Sequence, residues 1–375
     1  MPTVAMPRRT PGRRPLRTAT AIVAMVVGLL ALAEHGSGAS RLPGPRAATE
    51  PGDVTSVSTG WTTPWGVSWL PDGSALVGES ETFKIYRLSP TGEKILVGSV
   101  PETVTTRQED GLLGLAVSPH WAEDHYVYVF HTADEGNRIA RMTCDGTTLG
   151  DYHALLTGIE RGDWHNGGGL VFGPDGHLYA GAGDADQDQL AQDKDSLNGK
   201  ILRLTTDGKP APGNPFGTYV YSYGHRNPEG LAFDSAGRLW ASEFGPDSND
   251  ELNLIEPGNN YGWPTCVGPC DTAGMTNPKA TWSVSDASPS GLAYADGNLY
   301  MAGLRGQRLW RIPVSGTDVG TPVAYYQDKY GRLRAVQKVP GRAALWLFTG
   351  NTDHNGTQPD GSDQVLEAAL KPTAP

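Results

Sequence analysis

Three of the usual resources of a stable chain are scarce here. Only three cysteines occur in 375 residues, too few for a disulfide scaffold, and an odd number cannot all pair. Positive charge is outnumbered, with 30 Lys and Arg against 41 Asp and Glu. That balance argues against nucleic acid and anionic membranes as partners. The one long apolar run, AIVAMVVGLLALA from Ala21 to Ala33, falls short of the roughly 20 residues a membrane span needs. Helical periodicity is also missing beyond this run. Glycine is abundant instead, at 49 residues beside 29 prolines and 38% hydrophobic content. This composition fits a turn-rich all-β chain better than a disordered one.

The apolar run follows Arg8, Arg9, Arg13, Arg14 and Arg17 and precedes small and polar residues. That order describes an export signal over residues 1–40, with a retained N-terminal anchor as the other reading. Residues 41–54 read as a flexible lead-in and 55–375 as one domain. Without residues 1–40 the chain loses five arginines and Glu34, and its net charge of −11 becomes −15. The expected product is secreted or held in the cell envelope, with no membrane span in the mature chain. An oxidising compartment favours a local disulfide between Cys266 and Cys270. Cys144 reads as a buried strand residue.

One phrase recurs six times: an apolar run, a turn, and a second run ending in small residues. Its copies are VSWLPDGSALVGE from Val67, LAVSPHWAEDHYVYVFH from Leu115, LVFGPDGHLYAGAGD from Leu170, LAFDSAGRLWASEFG from Leu231, LAYADGNLYMAGLRG from Leu292 and AVQKVPGRAALWLFTGN from Ala335. Each is followed by a shorter strand signal, such as GKILRL from Gly199 or DQVLEAAL from Asp363. Strand repeats of roughly 40–60 residues point to solenoids or propellers, because one unit cannot bury its own apolar face. The count predicts a six-bladed β-propeller of four-stranded antiparallel blades. The runs ending LVGE, YAGAGD, WASEFG and YMAGL are expected nearest the axis, and TSVSTG near Thr55 is expected to close the ring with QVLEAAL. Function should then sit on loops at one channel mouth.

Three loops carry candidate chemistry. In GDWHNGGGLVFGPDG, His165 stands just before the third copy, and Asp184 ends the strand run of that same copy. A histidine oriented by a carboxylate makes a general base near neutral pH; the alternative is two loop residues that never meet. In YGHRNPEGLAF, Arg226 offers a permanent charge and a planar donor fork for an anion or developing oxyanion. In SEFGPDSNDELNLIEPGNNYGWP, Glu243, Asp247, Asp250 and Glu251 stand among carbonyl-rich turns, an oxygen-donor set suited to Ca²⁺ or simply to water. Arg305, Arg332 and Arg334 add later cations; the last two alternate, share a face and call for an anion. Arg308 and Arg311 read as surface.

These segments in this order resemble the soluble quinoprotein sugar dehydrogenases, the family of glucose, aldose and sorbosone dehydrogenases. The likeness runs from about Trp61 to Leu370 and rests on PWGVSWLPDG, EDGLLGLAVSP, HNGGGLVFGPDG, SLNGKILRL, YGHRNPEGLAF, SEFGPDSNDELNLI, NYGWP, SPSGLAY and GRLRAV. It implies a six-bladed propeller holding pyrroloquinoline quinone (PQQ) and Ca²⁺ at the channel mouth, an aldose substrate oxidised at the anomeric carbon to a lactone, and a separate electron acceptor. It makes His165 the base, Asp184 its orienting carboxylate and Arg226 the partner of developing negative charge. Cofactor contacts fall to Glu109, Asn227, Arg305, Arg332 and Arg334, and the catalytic Ca²⁺ to the carbonyls of Gly245 and Pro246. Glu251 and the carbonyl of Tyr261 correspond to a second Ca²⁺ site. The pattern is not copied throughout: Arg305 replaces a lysine, Glu109 a glutamine, and Gly169 fills a position often held by arginine. A Ca²⁺-dependent lactonase and a non-catalytic binding propeller are the competing functions.

Overall fold

The computed structural model describes residues 49–106 and 108–373; the expected export signal and the first part of the lead-in lie outside them. Six antiparallel sheets follow one another along the chain. Blade one comprises Pro64–Trp69, Ala75–Glu79, Lys84–Leu88 and Lys94–Ser99. Blade two comprises Leu112–Val117, Tyr126–Ala133, Gly136–Cys144 and Leu149–Ile159. Blade three uses Leu170–Phe172, Leu178–Ala182, Lys200–Leu204 and Val220–Tyr223; blade four uses Pro228–Phe233, Leu239–Glu243, Asp250–Ile255 and Ala280–Trp282.

Blade five departs from the expected four strands. After Pro289–Ala295, Asn298–Gly303 and Arg308–Ser315, two short strands, Asp318–Val319 and Val323–Tyr325, share the outer edge of the third. Blade six is built from both ends of the described chain. Leu333–Lys338, Ala344–Thr349 and Asp363–Pro372 are completed on the outside by Thr49–Trp61. Thr55 pairs with Glu367, as expected for closure, but the strand starts at Thr49, so the end of the expected lead-in is strand. Among the described residues helix is confined to one turn at Trp121–Asp124 and a 3-10 turn at Asp188–Ala191. Among the described residues no helix is long and apolar enough to cross a membrane.

The strand order around the axis differs from the expectation. The first strand of each blade, and not the run ending LVGE or YAGAGD, packs against the neighbouring blade's first strand and lines the channel, as Val67, Leu115, Leu170, Leu231 and Leu292 do. Glycine makes that approach possible. A Cβ on Gly114 would sit 2.3 Å from the carbonyl of Gly168, and one on Gly230 would sit 2.3 Å from that of Ser290. The same crowding affects Gly169, where a Cβ would lie 2.9 Å from Leu231.

The core is six apolar layers, one between each pair of adjacent blades. Trp61 and Trp346 fill the layer between blades six and one, and Trp240 that between four and five. The aliphatic side chains packed around them each contribute about 1.5–3 kcal/mol by leaving water. Cys266 and Cys270 are disulfide-bonded, and Cys144 is buried in its strand. Arg308 and Arg311 are not surface residues: their side chains are 12% and 13% exposed and face Asp286 and Glu50.

Candidate active site

A single hairpin relation organises the site. The residue entering a blade's first strand lies beside the loop that leaves the second strand, nineteen positions later. His165 meets Asp184 this way, Arg226 meets Gly245, and Arg334 meets Asp353. Blades three, four and six thus deliver a His–Asp pair, a cation and an ion pair to the same mouth.

At the first corner, His165 Nδ1–H donates to Asp184 Oδ1 at 2.7 Å. A carboxylate can only accept, so this contact sets the tautomer and leaves Nε2 with its lone pair. Asp184 is fully buried, and its other oxygen accepts the indole N–H of Trp263 at 2.7 Å. His165 itself takes a left-handed φ of 58°. Glu109 Oε2 accepts its main-chain N–H at 2.7 Å, and the carbonyl of His165 is crowded against Gly183, where a Cβ would approach to 1.9 Å. The backbone is therefore held in an unfavourable region by its neighbours. Burial pushes the carboxyl of Glu109 up, with His165 and Arg334 pulling the other way.

Arg226 occupies the second corner. Its guanidinium donates to the carbonyls of Gly245 at 2.8 Å and Phe244 at 3.3 Å and faces the Trp263 ring at 5.4 Å. Its main-chain N–H donates to Glu243, whose other oxygen accepts from the fully buried His225 at 2.8 Å. Glu243 and Asp250, considered above as metal ligands, are thus occupied in holding loops; Asp250 accepts the N–H groups of Gly245 and Ser288. Burial lifts the Asp250 carboxyl to about 6 despite those two bonds.

Arg332 and Arg334 converge, as their alternation suggests, but the anion between them is the protein's own. Asp353 Oδ2 accepts from both at 2.7 and 2.8 Å. Arg334 also donates to Glu229 at 3.1 Å and lies 3.9 Å over the Trp65 ring. Desolvation opposes ionisation of Asp353, yet the two guanidinium groups outweigh it and hold its carboxyl below the usual range. Glu229 goes the other way, pushed to about 8 by burial against the pull of Arg334. Beside this pair opens a cavity of about 430 Å³ whose walls include Glu109, Phe244, Ser288, Arg305, Arg332 and Arg334. Arg226 Nε and Arg334 Nε are buried without a hydrogen-bond partner among the described residues.

Other expected residues have different settings. Asn227 is turned into the fold, its Oδ1 accepting from Gly167 N–H at 2.8 Å. Glu251 accepts from Gly268 and Asn253 at 2.7 and 3.0 Å, and burial, then Glu243, lifts it to about 7. The Tyr261 ring stacks on His225 at 4.7 Å. Among the described residues no three His, Cys, Asp or Glu side chains gather closely enough to hold a metal. Sequence reasoning missed Trp263, Glu229 and Asp353. Trp263 stood inside NYGWP, and Asp353 repeats the nineteen-residue spacing already seen between His165 and Asp184.

Fold and site together define a six-bladed propeller with a hydrogen-bonded His–Asp pair and several arginines gathered at one channel mouth. The glucose/sorbosone dehydrogenase family profile matches residues 61–357, and the chain belongs to that family. A solved structure of PQQ-bound aldose sugar dehydrogenase from Streptomyces coelicolor is 49% identical, with a TM-score of 0.84, covering 87% of this chain and all of that one. Quinoprotein glucose dehydrogenase B of Acinetobacter calcoaceticus is 32% identical over 67% of this chain, a stretch spanning 61% of that relative's length. Aldose sugar dehydrogenase YliI of Escherichia coli is 27% identical over 74% of this chain and 84% of its own.

Proposed function

We propose that this chain is an exported quinoprotein aldose dehydrogenase that uses PQQ and Ca²⁺ to oxidise the anomeric carbon of an aldose to the lactone. The observation carrying the reading is the His165–Asp184 pair, with no hydrogen bond on Nε2 from the described residues, at the same mouth as the arginine-walled cavity. The donor set fits a flat polycarboxylate: Arg305, Arg332 and Arg334 line that cavity, and the buried Nε–H groups of Arg226 and Arg334 lack partners among the described residues. Arg332, Arg334 and Arg305 would hold the cofactor's carboxylates, with Glu109 and Asn227 supporting the wall beside His165.

When bound, PQQ would supply a two-electron quinone acceptor for the anomeric hydride. His165 Nε2 takes the proton of the anomeric hydroxyl, and buried Asp184 stabilises the imidazolium that results. Trp263 keeps Asp184 in place. Arg226 would offer a fixed positive charge to the negative charge that grows on the acceptor. The Pro246 carbonyl, and the Gly245 carbonyl on the lone pair that Arg226 leaves free, would offer hard oxygen donors to Ca²⁺, but only part of its usual six to eight. A Ca²⁺ held there would need its remaining oxygen donors from the cofactor or water. Glu251, together with the carbonyl of Tyr261, suits a second Ca²⁺, because a cation there would relieve the crowding of Glu251 by Glu243.

Mixing the full chain with PQQ and Ca²⁺, then an aldose, and following quinone absorbance and reduction of an artificial dye tests the proposal. Dye reduction that disappears in His165→Ala, with PQQ still bound, is the expected result. Bound PQQ without turnover on any of several aldoses would overturn it, and failure to bind PQQ would favour a Ca²⁺-dependent lactonase.

A further inference from the structure

Trp164 directly precedes His165, and its main-chain N–H donates to Asp186 Oδ2 at 2.9 Å. Its half-buried indole meets the imidazole of His354, ring centres 5.1 Å apart and planes at 63°. Trp164 enters blade three and His354 leaves blade six, half a turn away, so the two rings bridge the channel mouth. His354 and Asn355 belong to the wall of the arginine-lined cavity, and the Asn355 amide lies 2.8 Å from His354 Nε2. In an edge-to-face pair one ring lends an edge and the other a face. At least one indole face is therefore left uncovered by His354. Beside it the Asp186 side chain, 38% exposed, stands 3.4 Å from His165 Nδ1.

We infer that Trp164, Asp186 and Asn355 form the sugar subsite of this chain, with the pyranose ring lying on the indole and its anomeric carbon toward His165. A pyranose has an apolar C–H face and a rim of hydroxyls. An aromatic plane flanked by a carboxylate and an amide matches both parts. Such a platform recognises a ring face more than one hydroxyl pattern, so several pyranoses should bind alike and acyclic polyols poorly. The inference rests on the proposed aldose dehydrogenase function.

The test uses the full chain reconstituted with PQQ and Ca²⁺, comparing wild type, Trp164→Ala and Trp164→Phe. Steady-state kinetics are run with D-glucose and D-xylose, beside calorimetric binding of the same sugars to the PQQ-free chain. Trp164→Ala should raise KM and the sugar dissociation constant about five- to tenfold, the size of one aromatic contact. It should keep kcat within about twofold, and Trp164→Phe should recover most of the loss. Sugar affinity unchanged in Trp164→Ala overturns the subsite, as does a fall in kcat alone, which would make Trp164 a mere support for His165. Trp164-dependent sugar binding without wild-type turnover would uphold the subsite while sinking the dehydrogenase reading.

Discussion

Replacing Asp184 by asparagine gives the sharpest perturbation of the proposed mechanism, because volume is kept and only donors and acceptors change. The carboxylate accepts three N–H groups: His165 Nδ1 at 2.7 Å and the Asp186 amide at 3.0 Å on one oxygen, Trp263 Nε1 at 2.7 Å on the other. An amide has one oxygen. If it faces His165, the new NH₂ confronts the Trp263 donor. If it faces Trp263, the NH₂ confronts the Asp186 amide and obliges His165 to carry its proton on Nε2, which removes the base. Either way a buried donor loses its partner, costing stability about 1–3 kcal/mol. The negative charge that would stabilise the imidazolium is also gone. General-base catalysis contributes about 10²–10⁴ in rate, or roughly 3–5 kcal/mol at 1.36 kcal/mol per decade. Dye-linked turnover at saturating sugar and cofactor should therefore fall by two to four decades on that scale. A stably folded, PQQ-loaded Asp184→Asn variant with kcat within about threefold of wild type would refute the reasoning.

Gly183→Ala should be lethal to the site, since its Cβ would meet the His165 carbonyl at 1.9 Å; loss of turnover with a lowered melting temperature is expected. Lys200 is fully buried and donates to the carbonyls of Leu190, Ala191 and Asn198 at 2.7, 3.2 and 2.6 Å. Lys200→Met strands those acceptors and should lower stability by about 2–4 kcal/mol, read from urea denaturation. Glu229 is pushed from 4.5 up to about 8 by burial. The folded form thus holds its proton more tightly than the unfolded one. Its contribution is full below the unfolded value and is lost as pH rises through the folded one. Wild type should lose stability relative to Glu229→Gln between pH 4.5 and 8, measured by denaturation across that range; a flat difference would contradict the assignment.

The number of blades was legible because each repeats the same hairpin and turn signals. Strand order within a blade was not. Small residues mark the runs at Gly78 and Gly181, yet it is the preceding strand, with glycines such as Gly114 and Gly230, that packs against its counterpart in the next blade. Both strands read as small and apolar, and only the three-dimensional crowding separates them. The fifth blade's split edge was hidden for a related reason: Asp318–Val319 and Val323–Tyr325 are too short to carry a period. At the site, the pairing of His165 with Asp184 was readable as a spacing. The occupation of Arg334 by Glu229 and Asp353 was not, because Glu229 comes from blade four and reaches Arg334 only across the channel. Acidic residues in the loop after Glu243 looked like metal ligands by composition, whereas Glu243 and Asp250 accept main-chain N–H groups that shape the turns.

Blade six takes its outer strand from Thr49–Trp61 and its other three from residues beyond 332. Thr63 N–H reaches Asp363 at 3.2 Å and Thr352 at 2.8 Å across nearly the whole chain. Contacts so distant in sequence form late and slowly, since a very long loop must close first. Arg332, Arg334, Asp353 and His354 all stand on this last blade, so the cavity wall is finished only when the ring is. During synthesis five blades could already be packed while the mouth is still open and unable to grip an anion. Competence for cofactor would then arrive with the final strand, making the closure of the ring the point at which a folded chain becomes a usable one.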